Sequence, residues 1–135
     1  MTQLPIANAQ ELAEGQIILV RLTDEIPAFA IILRKEGNLR AYLNICRHLP
    51  IPLGFIGDRL ADAAKTHLIC STHGARYRMI DGYCDDGPCE GKSLYPIEIS
   101  QQNGKFFLEV TERILKLARQ AMGEYDEEEE YDEVD

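Results

Sequence analysis

Two short stretches constrain this chain more than any others: Cys46-Arg47-His48 and, 21 residues later, Cys70-Ser71-Thr72-His73-Gly74. Each offers one thiol and one imidazole, so a fold that uses them must bring two loops of matching donor type to one place. Sulfur with borderline nitrogen in a two-plus-two set suits either a tetrahedral zinc ion or an iron–sulfur cluster with mixed ligation. Zinc would make the chain a structural or interaction module without redox chemistry. Separately buried cysteines with unrelated surface histidines do not account for the doubled spacing.

A chain of 135 residues is long enough for one domain and too short for two ordinary ones, and 45% hydrophobic residues suffice for a core. The formal charge of −9 is not spread evenly. Residues 124–135 hold nine acidic groups and no basic ones, whereas residues 1–122 hold fourteen of each sign. The expected organisation is therefore a balanced domain over residues 1–122 and an acidic, disordered tail over residues 123–135. The tail is expected to be a solvating segment, with docking to a basic partner as the alternative. A balanced domain argues against nucleic-acid binding. No apolar run approaches the roughly 18 residues of a membrane span, and Met1-Thr2-Gln3-Leu4-Pro5 lacks the features of a secretion signal. A cytoplasmic protein without a membrane anchor is expected.

The patterning between the motifs is that of short strands. Ile17 to Thr23 and Ala28 to Arg34 are β-prone, and Glu36-Gly37-Asn38 turns the second into Leu39 to Ile45. That run alternates apolar and polar residues, predicting a half-buried strand that delivers the chain to Cys46. Pro50 and Pro52 stiffen the loop behind His48, either as ordinary turn prolines or as a shield. Asp58 to Lys65 predicts a helical turn or a surface insertion. Thr66 to Ile69 leads to Cys70, and Ala75 to Ile80 turns at Asp81-Gly82 into Tyr83 to Asp85. Tyr95 to Ser100 and Lys105 to Val110 flank Asn103-Gly104. Thr111 can cap a helix through Gln120 or Met122, with Ile114, Leu117, Ala118 and Ala121 on one stripe and Gly123 ending it. That helix is expected to pack on the sheets of an all-β domain, with partner docking as the alternative.

With its flanks Pro52-Leu53-Gly54, Ala75-Arg76-Tyr77 and Asp86-Gly87-Pro88, the double motif resembles the Rieske [2Fe-2S] signature. The resemblance runs from about Gly15 to Val110, and in particular to the small soluble Rieske-type ferredoxins. It implies stacked antiparallel sheets with a cluster-binding tip, one [2Fe-2S] cluster per chain, Cys46 and Cys70 on one iron, and His48 and His73 on the other. It also implies that Asp86-Gly87-Pro88 covers the cluster and that the histidines lie at an exposed tip. In Rieske centres, two neutral imidazoles replace two thiolates, which raises the potential from roughly −400 mV to about −150 to +300 mV. Hydrogen bonds to the sulfurs tune it further. Ala75 stands where respiratory relatives carry Ser, and Ile51 and Thr72 stand at the positions of their loop disulfide. Tyr77 keeps a phenol. A midpoint low in the range, below about +100 mV, follows.

On this resemblance the chain is a one-electron carrier, a component of an oxidoreductase system that passes electrons from a reductase to a terminal enzyme such as an oxygenase. His67 is the one histidine left over and is expected to be structural. A mononuclear oxygenase iron needs two histidines and a carboxylate, so the chain cannot be a self-sufficient oxygenase. The alternatives are a cluster-containing regulatory or assembly subunit that binds through helix and tail, and the zinc module. Arg47, Arg76 and Arg78 are expected to form a solvated rim, or else a positive collar for an acidic partner. Cys84 and Cys89 are expected to be simple thiols, as a reducing compartment favours; pairing them would need Cα atoms about 5.5 Å apart.

Overall fold

Residues 2–122 are described by the computed structural model, in three antiparallel sheets of three strands and one α-helix. The expected acidic tail lies outside the described residues. No helix among them is long and apolar enough to cross a membrane.

The central sheet has the order β2-β3-β4, with β2 at Ile17–Arg21, β3 at Phe29–Lys35 and β4 at Asn38–Leu43. Glu36 and Gly37 both take positive φ, 53° and 79°, which gives the tight turn that matches the twist of paired strands. A non-glycine residue tolerates this conformation at Glu36 because the Glu14 carboxylate accepts the N–H groups of Glu36 and Gly37, at 2.6 and 3.0 Å.

Successive residues of β3 feed two different cores. Ala30 and Ile32 join Ala41 and Leu43 against Leu108 and Val110. Ile31 and Leu33 join Ile17 and Tyr42 against Leu68, Tyr77 and Met79. β4 shares this position, so the half-buried strand expected from its alternation is corrected: Ala41, Tyr42 and Leu43 are all buried. Tyr42 tolerates burial because its hydroxyl donates to the Met79 carbonyl at 2.8 Å.

The first core is closed by the sheet β1-β9-β8, with β1 at Thr2–Pro5, β8 at Ile99–Gln102 and β9 at Lys105–Val110. β1 has no hydrophobic alternation and was not foreseen; it is an edge strand whose partners lie at the far end of the chain, Thr2 facing Val110. The helix α1, Glu112–Ala121, is capped as predicted: Thr111 Oγ1 accepts the Ile114 N–H at 3.2 Å. Ile114 and Ala118 are buried against the sheets.

The second core is closed by β5 (His67–Ile69), β6 (Arg76–Arg78) and β7 (Cys84–Asp86). Strands of three residues make few ladder bonds, and side chains supply the rest. The Asp62 carboxylate accepts the N–H groups of Thr66 and His67, the Thr66 hydroxyl and the Arg76 guanidinium, at 2.8 to 3.1 Å. His67 Nε2 lies 3.0 Å from an Asp85 carboxylate oxygen, in the structural role expected of it. Partial burial opposes ionisation of Asp62, but the donors from His67, Thr66 and Arg76 outweigh it and hold its carboxyl well below the usual range. A carboxyl depressed by folding stabilises above its unfolded pKa of about 3.9 and loses that contribution as pH falls below it. Thermal melts from pH 7 to pH 2 should therefore show the wild type losing stability below about pH 4, with Asp62→Asn less stable at neutral pH and flatter on the acid side. Parallel acid limbs for the two proteins would remove Asp62 from this role.

Candidate metal centre

β4 runs through Asn44 and Ile45 directly into Cys46, and β5 runs directly into Cys70, so both motifs leave the ends of strands that border the second core. Backbone bonds shape each loop. The Cys46 N–H donates to the Ile51 carbonyl at 2.7 Å, and the Cys70 N–H to that of Ala75 at 2.9 Å. A third bond, from the Ser71 N–H to the Leu53 carbonyl at 2.9 Å, ties the two loops together.

Asn44 is the organiser that sequence reasoning missed. Its side chain accepts the Leu53 N–H and donates to the Gly54 carbonyl, each at 3.0 Å, and it is buried. The signal was present: a lone amide between Leu43 and Ile45, at a strand end. Asn44→Ala would strand the buried Leu53 N–H, and chemical denaturation should show a loss of about 1–3 kcal/mol. A loss below about 0.5 kcal/mol would mean that the loop does not depend on this residue.

The four predicted residues come together as two pairs. Cys46 and Cys70 are 4% and 1% exposed, and each thiol shifts the ionisation of the other. His48 and His73 are exposed, with ring centroids 4.9 Å apart and planes at 83°. Among the described residues no three His, Cys, Asp or Glu side chains converge as they would around a single ion. Sulfur lies inside and imidazole outside.

The sulfur pair is surrounded by donors. Burial disfavours a thiolate at Cys46, but the Tyr77 hydroxyl and the N–H groups of His48 and Leu49 outweigh it and lower the thiol's pKa. At Cys70, burial and the adjacent Cys46 push the thiol up, against the N–H groups of Thr72 and His73. Tyr77 is fully buried. Its hydroxyl accepts the Arg47 N–H at 2.7 Å, which leaves its own hydrogen to point at Cys46 Sγ, 3.3 Å away. Burial and the Cys46 sulfur raise the phenol's pKa and keep it protonated. Two buried sulfurs, one of them 3.3 Å from the Tyr77 hydroxyl, beside two outward imidazoles, fit a two-iron group with unequal ends. They do not fit one tetrahedral ion.

The Asp86-Gly87-Pro88 turn packs on the second motif loop. Gly87, at φ 99°, approaches the second loop so closely that an added Cβ would sit 2.9 Å from the Ala75 Cα. One expectation fails here: Cys84 and Cys89 are joined in a disulfide, with Cα atoms 6.0 Å apart. The chain reverses between them, and bonds from the Cys84 N–H to the Lys92 carbonyl and from the Gly91 N–H to the Cys84 carbonyl hold the reversal. Local geometry thus outweighs the compartment argument for free thiols. The three arginines form a partnered rim. Arg47 donates to the Ser93 carbonyl and lies 4.3 Å over the Tyr95 ring, Arg76 pairs with Asp62, and Arg78 with Asp81.

A small β scaffold that gathers two Cys/His loops in this way defines a class of proteins with a mixed sulfur and imidazole metal centre. The Rieske [2Fe-2S] domain family matches residues 2–112, and the chain belongs to that family, with a single [2Fe-2S] cluster. The fold is similar to the ferredoxin of carbazole 1,9a-dioxygenase from Nocardioides aromaticivorans IC177, at TM-score 0.58 and 17% identity over 80% of this chain and 97% of that one. It is also similar to the terminal oxygenase of the same system (TM-score 0.62, 21% identity, 82% of this chain) and to that of Novosphingobium sp. KA1 (TM-score 0.61, 23% identity, 78% of this chain). This chain covers only 30% and 29% of those oxygenase chains. At such identities the likeness establishes the fold alone. No curated protein matches in sequence.

Proposed function

We propose that Cys46 and Cys70 hold one iron of the cluster and His48 and His73 the other, and that the chain is a cytoplasmic one-electron carrier between a reductase and a terminal enzyme such as an oxygenase. The observation that carries this proposal is the segregation of the four side chains, thiols 4% exposed or less and imidazoles at the surface. When bound, the cluster supplies a one-electron couple. The chain's own residues do the rest. The buried cysteines and their donors keep water from the sulfurs, Tyr77 favours the more negative reduced state by donating to Cys46, and the exposed rings of His48 and His73 offer a partner a short route for the electron. A ferredoxin with the same fold supports the carrier reading.

Metal and sulfide analysis of anaerobically purified protein, followed by voltammetry, tests this function. Two irons and two sulfides per chain with a reversible one-electron wave are expected. One zinc without sulfide would overturn the ligand assignment, and a loaded cluster with no reversible wave would overturn the carrier role.

A further inference from the structure

β7 pairs with β6 so that Cys84 faces Tyr77, the residue whose hydroxyl lies against Cys46. From Cys84 the chain passes through Asp85 and Asp86, turns at Gly87-Pro88 and comes back, and Cys89 closes the ring by bonding to Cys84. Both half-cystines are buried. The apex of this ring rests on the second motif loop: at Gly87 an added Cβ would meet the Ala75 Cα at 2.9 Å and the Gly74 carbonyl oxygen at 3.5 Å. Gly74 and Ala75 directly follow His73. Pro88 has no N–H to offer a ladder, and within the apex the Glu90 N–H bonds to the Gly87 carbonyl at 3.1 Å.

We propose that the Cys84–Cys89 disulfide is a positioning crosslink for the metal centre, which clamps Gly87-Pro88 onto Gly74-Ala75, and that exchange with a dithiol releases the clamp. This role rests on Cys70 and His73 being ligands. In the exchange a sulfur of the dithiol attacks the Cys84–Cys89 bond, and the mixed disulfide is then displaced by the second dithiol sulfur. The two electrons and two hydrogens pass from the dithiol, which becomes a cyclic disulfide, to Cys84 and Cys89, which become thiols. Without the bond the apex lifts, the second loop loses its packing partner, and water reaches the sulfur pair.

The test uses the cluster-loaded protein untreated, after dithiol treatment, and as the double variants Cys84→Ser/Cys89→Ser and Cys84→Ala/Cys89→Ala. Leu108→Ala, in the first core, serves as a control for general destabilisation. Thiol labelling of the unfolded chain should attach two labels before reduction and four after, since Cys46 and Cys70 are free. Amide hydrogen exchange at Gly74 and Ala75, and loss of visible absorbance to an iron chelator, should each become roughly tenfold faster on reduction and in both double variants, but not in the control. Four labels on the untreated protein would overturn the crosslink. Unchanged exchange and bleaching in the reduced protein would overturn its positioning role, even if the double variants fail to fold. Failure of the ligand assignment has a different mark: His73→Ala would keep its cluster, while the label count stayed as expected.

Discussion

Cys70→Ala is expected to emerge from reconstitution with iron and sulfide without colour, and no added thiol should restore it. The sulfur it removes is buried, 1% exposed with its residue, so a small thiol from solution has no room to replace it. His73→Ala should also lose its cluster, yet millimolar imidazole in the reconstitution mixture should recover part of it, because the ring it replaces was exposed. The same contrast should hold for Cys46 against His48. The visible spectrum and the iron content of the desalted protein report the outcome. Rescue at the cysteines or none at the histidines would mean that the inside and outside of the site have been assigned the wrong way round. Retention of metal by any of the four alanine variants would remove that residue from the ligand set. Because a cluster binds the folded chain and not the unfolded one, the unloaded variants should also melt at lower temperature than the loaded wild type.

Tyr77→Phe should lower the midpoint potential by about 30–60 mV, the electrical equivalent of roughly 0.7–1.4 kcal/mol for one electron. The sign follows from the geometry. Toward a thiolate at Cys46, 3.3 Å away, only the hydroxyl can donate, and it stabilises the sulfur more when it carries more negative charge, which is the reduced state. Removing the hydroxyl also leaves the Arg47 N–H without its 2.7 Å acceptor, so a loss of about 1–3 kcal/mol of stability should accompany the shift. Voltammetry and chemical denaturation measure the two effects separately. A potential that does not move, with stability reduced, would make Tyr77 a packing residue only. The phenol argues that the midpoint lies above the bottom of the Rieske range, and Ala75, without a hydroxyl, that it lies below the top.

The pairing of the two motifs was legible in the sequence, since they carry donor type and spacing together and Tyr77 lies in the flank of the second. Turn positions were legible where turn chemistry was local, as at Gly37 and Asn103-Gly104, which take the left-handed conformation these residues favour, although the strand expected over Tyr95 to Ser100 is instead Ile99–Gln102. What escaped depends on partners distant in the chain. Thr2-Gln3-Leu4-Pro5 is a strand only because Lys105–Val110 lies beside it, and no local pattern records that. The alternation along Leu39 to Ile45 suggested one wet face; Tyr42 instead enters a second interior, most of whose other members, from Leu53 to Leu94, lie further along the chain. For Cys84 and Cys89, a statement about compartments was weaker than the path of the backbone between them, which turns at Gly87.

Ile31 and Ile32 are adjacent in the chain and look into opposite halves of the molecule, one toward the sulfurs and one toward the helix. Because one strand furnishes part of the lining on both sides, there is no seam along which the metal-bearing end could come away and leave the remainder intact. Heating the holoprotein should therefore discharge iron and melt the helix in a single event, and trimming a methylene from either isoleucine should be felt at both ends.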